Sequence, residues 1–237
     1  MNKINNIPIY TPDLECIEWL HLFATQAETE DGEKLDFRDI SLKNDLKENV
    51  PFKLHWLNMN HGGDVINLPN ELERIGDKYD AAVINDSGIG VAINTADCMP
   101  IIFVDKKNRK CAIAHAGWRG IVANVIENTL DSMGDFDRND LLVWIGPSIG
   151  SEYEIGEDVY QKLSNCNNVR KHSFKAFSSG KYIVNFTEIA VSKIEAYGIS
   201  RKTIQIYPKS VLHDKKFHSL RRDGSFAGRT ATIVGIT

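Results

Sequence analysis

The chain is poor in the features that mark out special classes of protein. No apolar run approaches the length that crosses a bilayer, and the opening residues Met1-Asn2-Lys3-Ile4-Asn5-Asn6 hold no apolar leader segment. A cytoplasmic protein with no membrane partner is the expectation. Basic charge is not in excess. The 28 Lys and Arg stand against 32 Asp and Glu, a net charge of −4, and a nucleic-acid partner calls for a basic face. Cysteine is sparse and scattered, at Cys16, Cys98, Cys111 and Cys166. That argues against a disulfide scaffold and for free thiols in a reducing compartment. Internal repeats, low-complexity tracts and Pro/Ser linkers are also missing. What remains is an ordinary soluble composition, 237 residues with 42% apolar and 25% charged side chains. Such a chain can bury a large core, and residues 1–237 read as a single domain.

Within that domain the most polar stretch is 26–50, with Glu28, Glu30, Asp31, Glu33, Lys34 and Asp36. It predicts an exposed, mobile loop. From residue 80 the pattern sharpens. Ala81–Ile84, Ile89–Ile93, Pro100–Val104 and Cys111–His115 are short apolar runs bounded by turn residues, the signature of strands. Pro100 cannot donate to a sheet ladder, so its strand must start there or lie at an edge. Ile121, Val122, Val125, Ile126 and Leu130 share one face of a helix running from about Arg119 to Met133, which Gly134 ends. Leu141–Ile145 is a buried strand. Helices are expected near 157–164 and 186–197, and strands at 203–207 and 229–236. Hairpin-like and crossover connections together predict an α+β domain, a mixed sheet with helices outside.

Three residues stand out chemically: His61 in His61-Gly62-Gly63, Cys98 after Asp97, and His115 before Ala116-Gly117. Each lies where the chain reverses. Two imidazoles and a thiol are soft to borderline metal ligands, and three protein ligands with an open fourth position are the pattern of a catalytic zinc. Their spacing matches no zinc-finger arithmetic. Taken singly, His61 reads better as a simple turn histidine and His115 as a half-buried polar group. Cys16, Cys111 and Cys166 read as small core hydrophobes. Two glycines after His61 allow close backbone approach to something bound. Arg119 falls in the first turn of its helix, where a guanidinium and helix N–H groups can converge on phosphate or carboxylate. Arg221 and Arg222 form a second basic candidate, while Lys215 and Lys216 read as a solvated face.

The segments His61-Gly62, Tyr79-Asp80-Ala81, Ala96-Asp97-Cys98-Met99-Pro100 and Ala114-His115-Ala116-Gly117-Trp118-Arg119-Gly120 occur in a characteristic order. Further on come Ile145-Gly146-Pro147-Ser148-Ile149, Tyr153-Glu154-Ile155-Gly156, and Ser219-Leu220-Arg221-Arg222-Asp223-Gly224 with Gly228-Arg229. On these the chain resembles the YfiH/laccase-domain family, also called the multicopper polyphenol oxidase or purine nucleoside phosphorylase family, over residues 55–237. The resemblance implies a four-layer α/β/β/α sandwich and zinc held by His61, Cys98 and His115. It also implies phosphorolysis of adenosine, inosine or methylthioadenosine, deamination of adenosine, copper-dependent polyphenol oxidation, or editing of peptidoglycan precursors. Residues 1–50 depart from the family: its Gly-Val-Ser segment and Asn-Arg pair are absent. Met59 replaces a common Gln, and a Cys-Thr pair gives way near Lys209-Ser210.

Phosphorolysis needs an anion clamp, for which Arg119 and Arg221 are the candidates. Deamination needs a zinc-bound hydroxide, whose pKa the metal lowers to about 7, with Asp97 as the nearest carboxylate to shuttle protons. Zinc-dependent purine nucleoside phosphorolysis is the leading expectation, with Cys98, His115 and Asp97 as catalytic residues. A His–His–Cys set also suits copper, although His21, His55, His172, His213 and His218 show no ligand spacing for a multi-copper relay. A metal-free hydrolase with Cys98 as nucleophile and His115 as base is the other alternative. The expected partner is a small molecule, and the assembly a monomer or homodimer.

Overall fold

A computed structural model describes residues 3–14 and 17–237, so the expectation for Cys16 lies outside the described residues. The N-terminal part holds β1 (Lys3–Ile4), β2 (Ile7–Tyr10), β3 (Leu20–Thr25), α1 (Ile40–Asn49), β4 (Lys53–Trp56) and β5 (Val65–Leu68). Then come β6 (Ala81–Ile84), β7 (Ile89–Thr95), β8 (Met99–Asp105), β9 (Lys110–Ala116), α2 (Trp118–Val122), α3 (Val125–Met133) and β10 (Leu141–Ile145). The last part holds β11 (Tyr153–Gly156), α4 (Glu157–Ser164), β12 (Phe174–Ser178), β13 (Lys181–Val184), α5 (Phe186–Ala196), β14 (Ile204–Ile206), α6 (Leu220–Asp223) and β15 (Thr230–Ile236).

Two six-stranded mixed sheets, ordered β1-β2-β3-β15-β7-β4 and β14-β10-β8-β9-β6-β5, stack face to face. In the first sheet, residues alternate strictly. Phe23, Ala92, Ala231 and Ile233 face outward with Leu46 of α1, while Leu22, Ala24, Val91, Ile93, Val234 and Ile236 face the second sheet. That is the period of two that a strand imposes. Strands β6 and β8 of the second sheet are buried on both faces, because α3 and α5 cover its other side. They therefore read as unbroken apolar runs. The layers are helix, sheet, sheet, helix. A small antiparallel sheet, β11-β13-β12, lies beside them.

Several expectations need correction. The stretch 26–50 is not a loop throughout. Asp39 caps α1 by accepting from the Ser41 amide at 2.8 Å, and Pro51 pushes Val50 to extended backbone and ends the helix. Leu35, Phe37 and Leu46 anchor the segment, each 3% exposed or less. Their apolar bulk outweighs the polar majority around them. The helix expected over 119–133 is broken: Asn124 adopts a left-handed conformation (φ 60°) between α2 and α3, a state that asparagine tolerates better than most residues. Cys111 is fully buried, as a core residue should be, and burial raises its pKa. Cys166 is not in the core: it sits half-buried just past the end of α4 and donates to the Lys162 carbonyl at 3.3 Å.

Register brings the candidate residues together. β8 and β9 are antiparallel with Met99 opposite Ala116 and Pro100 opposite His115, so Cys98, just before β8, faces the end of β9. The β8 ladder begins at Met99, and although Pro100 cannot donate, the strand lies inside the sheet. β6 pairs with the other side of β9, Ala81 opposite Ala114, which puts Asp80 beside His115. Three strand ends thus meet at one edge of the second sheet.

Candidate metal centre

At that edge His61, Cys98 and His115 place one ligand atom each within 4.8 Å of one another. The two imidazole rings meet edge-on, with centroids 4.8 Å apart and planes at 76°. His115 is 2% exposed, Cys98 half-buried and His61 exposed. Gly117 leaves room for the thiol: a Cβ there would lie 2.8 Å from Cys98 Sγ and 3.5 Å from the His61 ring.

Asp80 organises two of the three. Its side chain is wholly buried and accepts from His115 Nδ1 at 2.8 Å. This fixes the ring so that Nε2 is the nitrogen turned toward Cys98, the arrangement by which carboxylates orient metal-binding histidines. The same carboxylate collects the amides of Asn60 (3.1 Å), His61 (2.9 Å) and Gly62 (2.7 Å). Those bonds hold His61 in left-handed backbone (φ 62°), which costs a non-glycine residue about 1–2 kcal/mol. The second of the following glycines is required by packing. A Cβ on Gly63 would lie 2.1 Å from the Ala123 carbonyl, so the loop packs directly against the end of α2.

The charges inside the cluster are interlocked. Burial pushes the Cys98 thiol up, but hydrogen bonds and positive charge from His115 and His61 outweigh it and hold its pKa at about 6. Burial pushes His115 down, yet its bonds to Asp80 and Cys98 raise it to about 9. Without an ion the proton therefore rests on His115, and the sulfur is already a thiolate, the form that binds metal. Imidazole, thiolate and imidazole fit a borderline divalent ion, whose donors would stand about 3.5 Å apart in a tetrahedral zinc site.

His61 and Cys98 line a cavity of about 170 Å³ with aromatic walls from Trp118, Tyr153 and Phe186. Arg119, exposed on the rim, stacks its guanidinium 4.2 Å above the Trp118 ring. Arg221 stands one layer back, 4.1 Å above the Tyr153 ring, with Nη2 donating to the Glu154 carbonyl at 3.3 Å. Asp97 lines the cavity in left-handed backbone (φ 87°). Both its oxygens are engaged: Oδ1 accepts from Ser219 Oγ at 2.6 Å and Oδ2 from the Arg221 amide at 2.7 Å. It ties the C-terminal segment to the ligand loop.

Set against known proteins, residues 40–237 match the family described as multi-copper polyphenol oxidoreductase laccase. The chain belongs to this laccase-domain family. The Escherichia coli (strain K12) protein named purine nucleoside phosphorylase YfiH is 32% identical over 190 residues, covering 78% of this chain and 75% of its own length. Purine nucleoside phosphorylase PA4543 of Pseudomonas aeruginosa is 31% identical over 193 residues, 80% of this chain and 76% of its own. Among solved structures, Neisseria meningitidis protein NMB0706 superposes with TM-score 0.82 at 24% identity over 98% of this chain and 99% of that one. The Bacillus licheniformis hypothetical protein YfiH gives 0.79 at 19% identity over 92% and 93%. These two show the laccase-domain fold.

Sequence reasoning found all three members of the cluster in this laccase-domain chain but gave Asp80 no role. Its signal was a lone carboxylate directly ahead of the apolar run Ala81–Ile84, a charge that burial with the strand obliges to find partners. Phe186 carried no signal, because an aromatic opening a helix is usually core.

Proposed function

We propose that this chain is a metal-dependent purine nucleoside phosphorylase, with zinc as the resident ion held by His61, Cys98 and His115. One observation carries the reading: His61 and Cys98 of a His–Cys–His cluster line an aromatic-walled cavity with a guanidinium on its rim. Relatives about 30% identical over three quarters of the chain bear the phosphorylase name. A bound divalent ion would supply positive charge for polarising substrate or water.

In phosphorolysis a phosphate oxygen forms a bond to the anomeric carbon as the C–N bond to the base breaks, and the base leaves with that electron pair and takes a proton. The chain's own residues bind and orient. Arg119 meets the phosphate, and Arg221, steadied by Asp97 and Tyr153, adds positive charge from behind the wall. Trp118, Tyr153 and Phe186 offer apolar ring surface to the purine and exclude water. Deamination has less support, because Asp97, among the described residues the one carboxylate on the cavity wall, already spends both oxygens on Ser219 and Arg221. Several coppers would need further donors, and among the described residues the three-donor cluster is the one group of this kind. Residues 1–237 act as one domain in this reading, since the first strands and the last share a sheet. Its substrates are small soluble nucleosides of the cytoplasm.

The test is to measure the metal content of the purified protein and incubate it with adenosine or inosine, with and without phosphate. Ribose 1-phosphate and free base that form only with phosphate are expected. Inosine accumulating from adenosine regardless of phosphate would replace this reading with deamination, and no turnover by zinc-replete protein would refute it.

A further inference from the structure

Segments 148–151 and 185–187 carry two clefts back to back. Ile149 and Phe186 face the metal cavity. Their chain neighbours Ser148, Gly150, Asn185 and Thr187 turn the other way and line a separate cleft of about 260 Å³, together with Ser151 and Lys209. Nothing in the phosphorylase reading uses this second cleft.

Several of its polar side chains are free to donate. Ser148 is 5% exposed, lines the cleft, and among the described residues its hydroxyl has no hydrogen-bond partner. Its oxygen is not sealed off by the protein, so the hydroxyl opens to the cleft. The cleft also abuts the start of α5, an eleven-residue helix. There the Phe186 amide is taken by the Gly150 carbonyl (3.0 Å) and the Glu188 amide by Asn185 Oδ1 (3.0 Å). The Thr187 amide, second in the helix, has no acceptor within it. Because Asn185 spends its oxygen as the cap, its NH2 remains to donate. Lys209 is exposed and adds a full positive charge to the partial one at the helix end. Among the described residues no carboxylate lines the cleft. Glu152, close in sequence, is paired with His213 at 3.0 Å, and Asp214 accepts from the Tyr207 hydroxyl at 2.6 Å.

We infer that this cleft binds a phosphate group, gripped by Ser148 Oγ, the amide and hydroxyl of Thr187, and Lys209. Donors converging on one helix end, with one cation and no competing carboxylate, complement a tetrahedral oxyanion. Free phosphate and the phosphate of a sugar monoester present the same chemistry. An occupant touches the two segments whose alternate residues wall the metal cavity, so binding is felt at Ile149 and Phe186. The inference stands apart from the reading of the cavity itself.

The experiment is an amide NMR titration of the full-length protein with sodium phosphate, at ionic strength held constant with chloride, and in parallel with ribose 5-phosphate. Saturable shifts at Ser148, Ser151 and Thr187 are expected, with smaller ones at Ile149 and Phe186. Tighter saturation by one titrant identifies whether the free ion or the monoester is preferred. Ser148→Ala and Lys209→Ala should each weaken binding about tenfold, the effect of losing a hydrogen bond to a charged group. Arg119→Ala should leave it within twofold, which separates this cleft from phosphate held at the metal cavity. The inference is overturned if shifts rise linearly without saturating, if they gather around Arg119 alone, or if the two cleft variants bind as the parent does.

Discussion

The two sides of the metal cavity are built on different principles. On the ligand side, Cys98, His115 and Asp80 hang from the ends of three adjacent, almost wholly buried strands, and their register is fixed by continuous ladders. Hydrogen bonds from one carboxylate then lock the remaining loop and His61. On the opposite side, Trp118, Arg119, Tyr153 and Arg221 come from a five-residue helix, a short strand and a four-residue helix, and their guanidinium groups are placed largely by stacking on rings. Stacking tolerates sliding, whereas a buried carboxylate with four partners does not. The molecule therefore sets its donors rigidly and leaves the groups that would meet substrate adjustable. A metal site needs donors in place to within a fraction of an ångström, while a substrate pocket gains from giving way.

That contrast predicts a graded series of losses. Replacing Cys98 with alanine removes a donor outright. Metal content, measured by elemental analysis, should fall from near one ion per chain to near none. Phosphorolysis should fall by more than the roughly 10- to 100-fold typical when only a ligand's orienting partner is lost. The fold should persist, because the thiol is only half-buried, and an unchanged circular dichroism spectrum is the check. A variant that unfolds would assign the cluster to structure instead of catalysis. Asp80→Asn comes next. The amide can still accept one or two of the backbone bonds but cannot balance His115 as a carboxylate does. Zinc affinity, read by competition with a chromophoric chelator, should drop about 10- to 100-fold. Unfolding in denaturant should show a loss of roughly 3 kcal/mol, as for other broken buried pairs. Full affinity in that variant would mean that the ligands are held by packing alone.

The same contrast explains what could be read in advance. β6, β10 and α4 fall where the apolar runs put them, because strands covered on both faces and an amphipathic helix write their period directly into the chain. The first sheet was mostly missed. β2, β3 and β4 carry Pro8, His21 and His55, which interrupt their apolar runs. β11, β12 and β13 are missed for the same reason, being half-exposed and polar. Within the site, residue types and turn contexts marked His61, Cys98 and His115 but gave no means of bringing them together. That information lies in strand register, which local sequence does not encode. Asp97 shows the opposite failure. Its position beside the cysteine suggested a free carboxylate, yet the distant Ser219 and Arg221 claim both oxygens.

On the adjustable side the effects should be smaller and should spare the metal. Arg119→Ala removes the rim cation and should raise the KM for phosphate roughly tenfold, the effect of one lost charge-assisted hydrogen bond. Arg221→Ala should raise it less, since that guanidinium stands behind Tyr153. Equal losses would place both arginines on the bound phosphate. The smallest effect belongs to Ser219→Ala. Ser219 is fully buried, donates to Asp97 and accepts from the Arg222 amide at 3.1 Å as the cap of α6. Losing a cap of this kind costs about 1 kcal/mol. Because Asp97 keeps the Arg221 amide, that segment should loosen without leaving its place. The expected result is a modest fall in melting temperature and less than a threefold change in KM, with metal affinity unaltered. If metal affinity fell as well, the ligand loop and the C-terminal segment would be one mechanical unit, and the division between a rigid and an adjustable side would not hold.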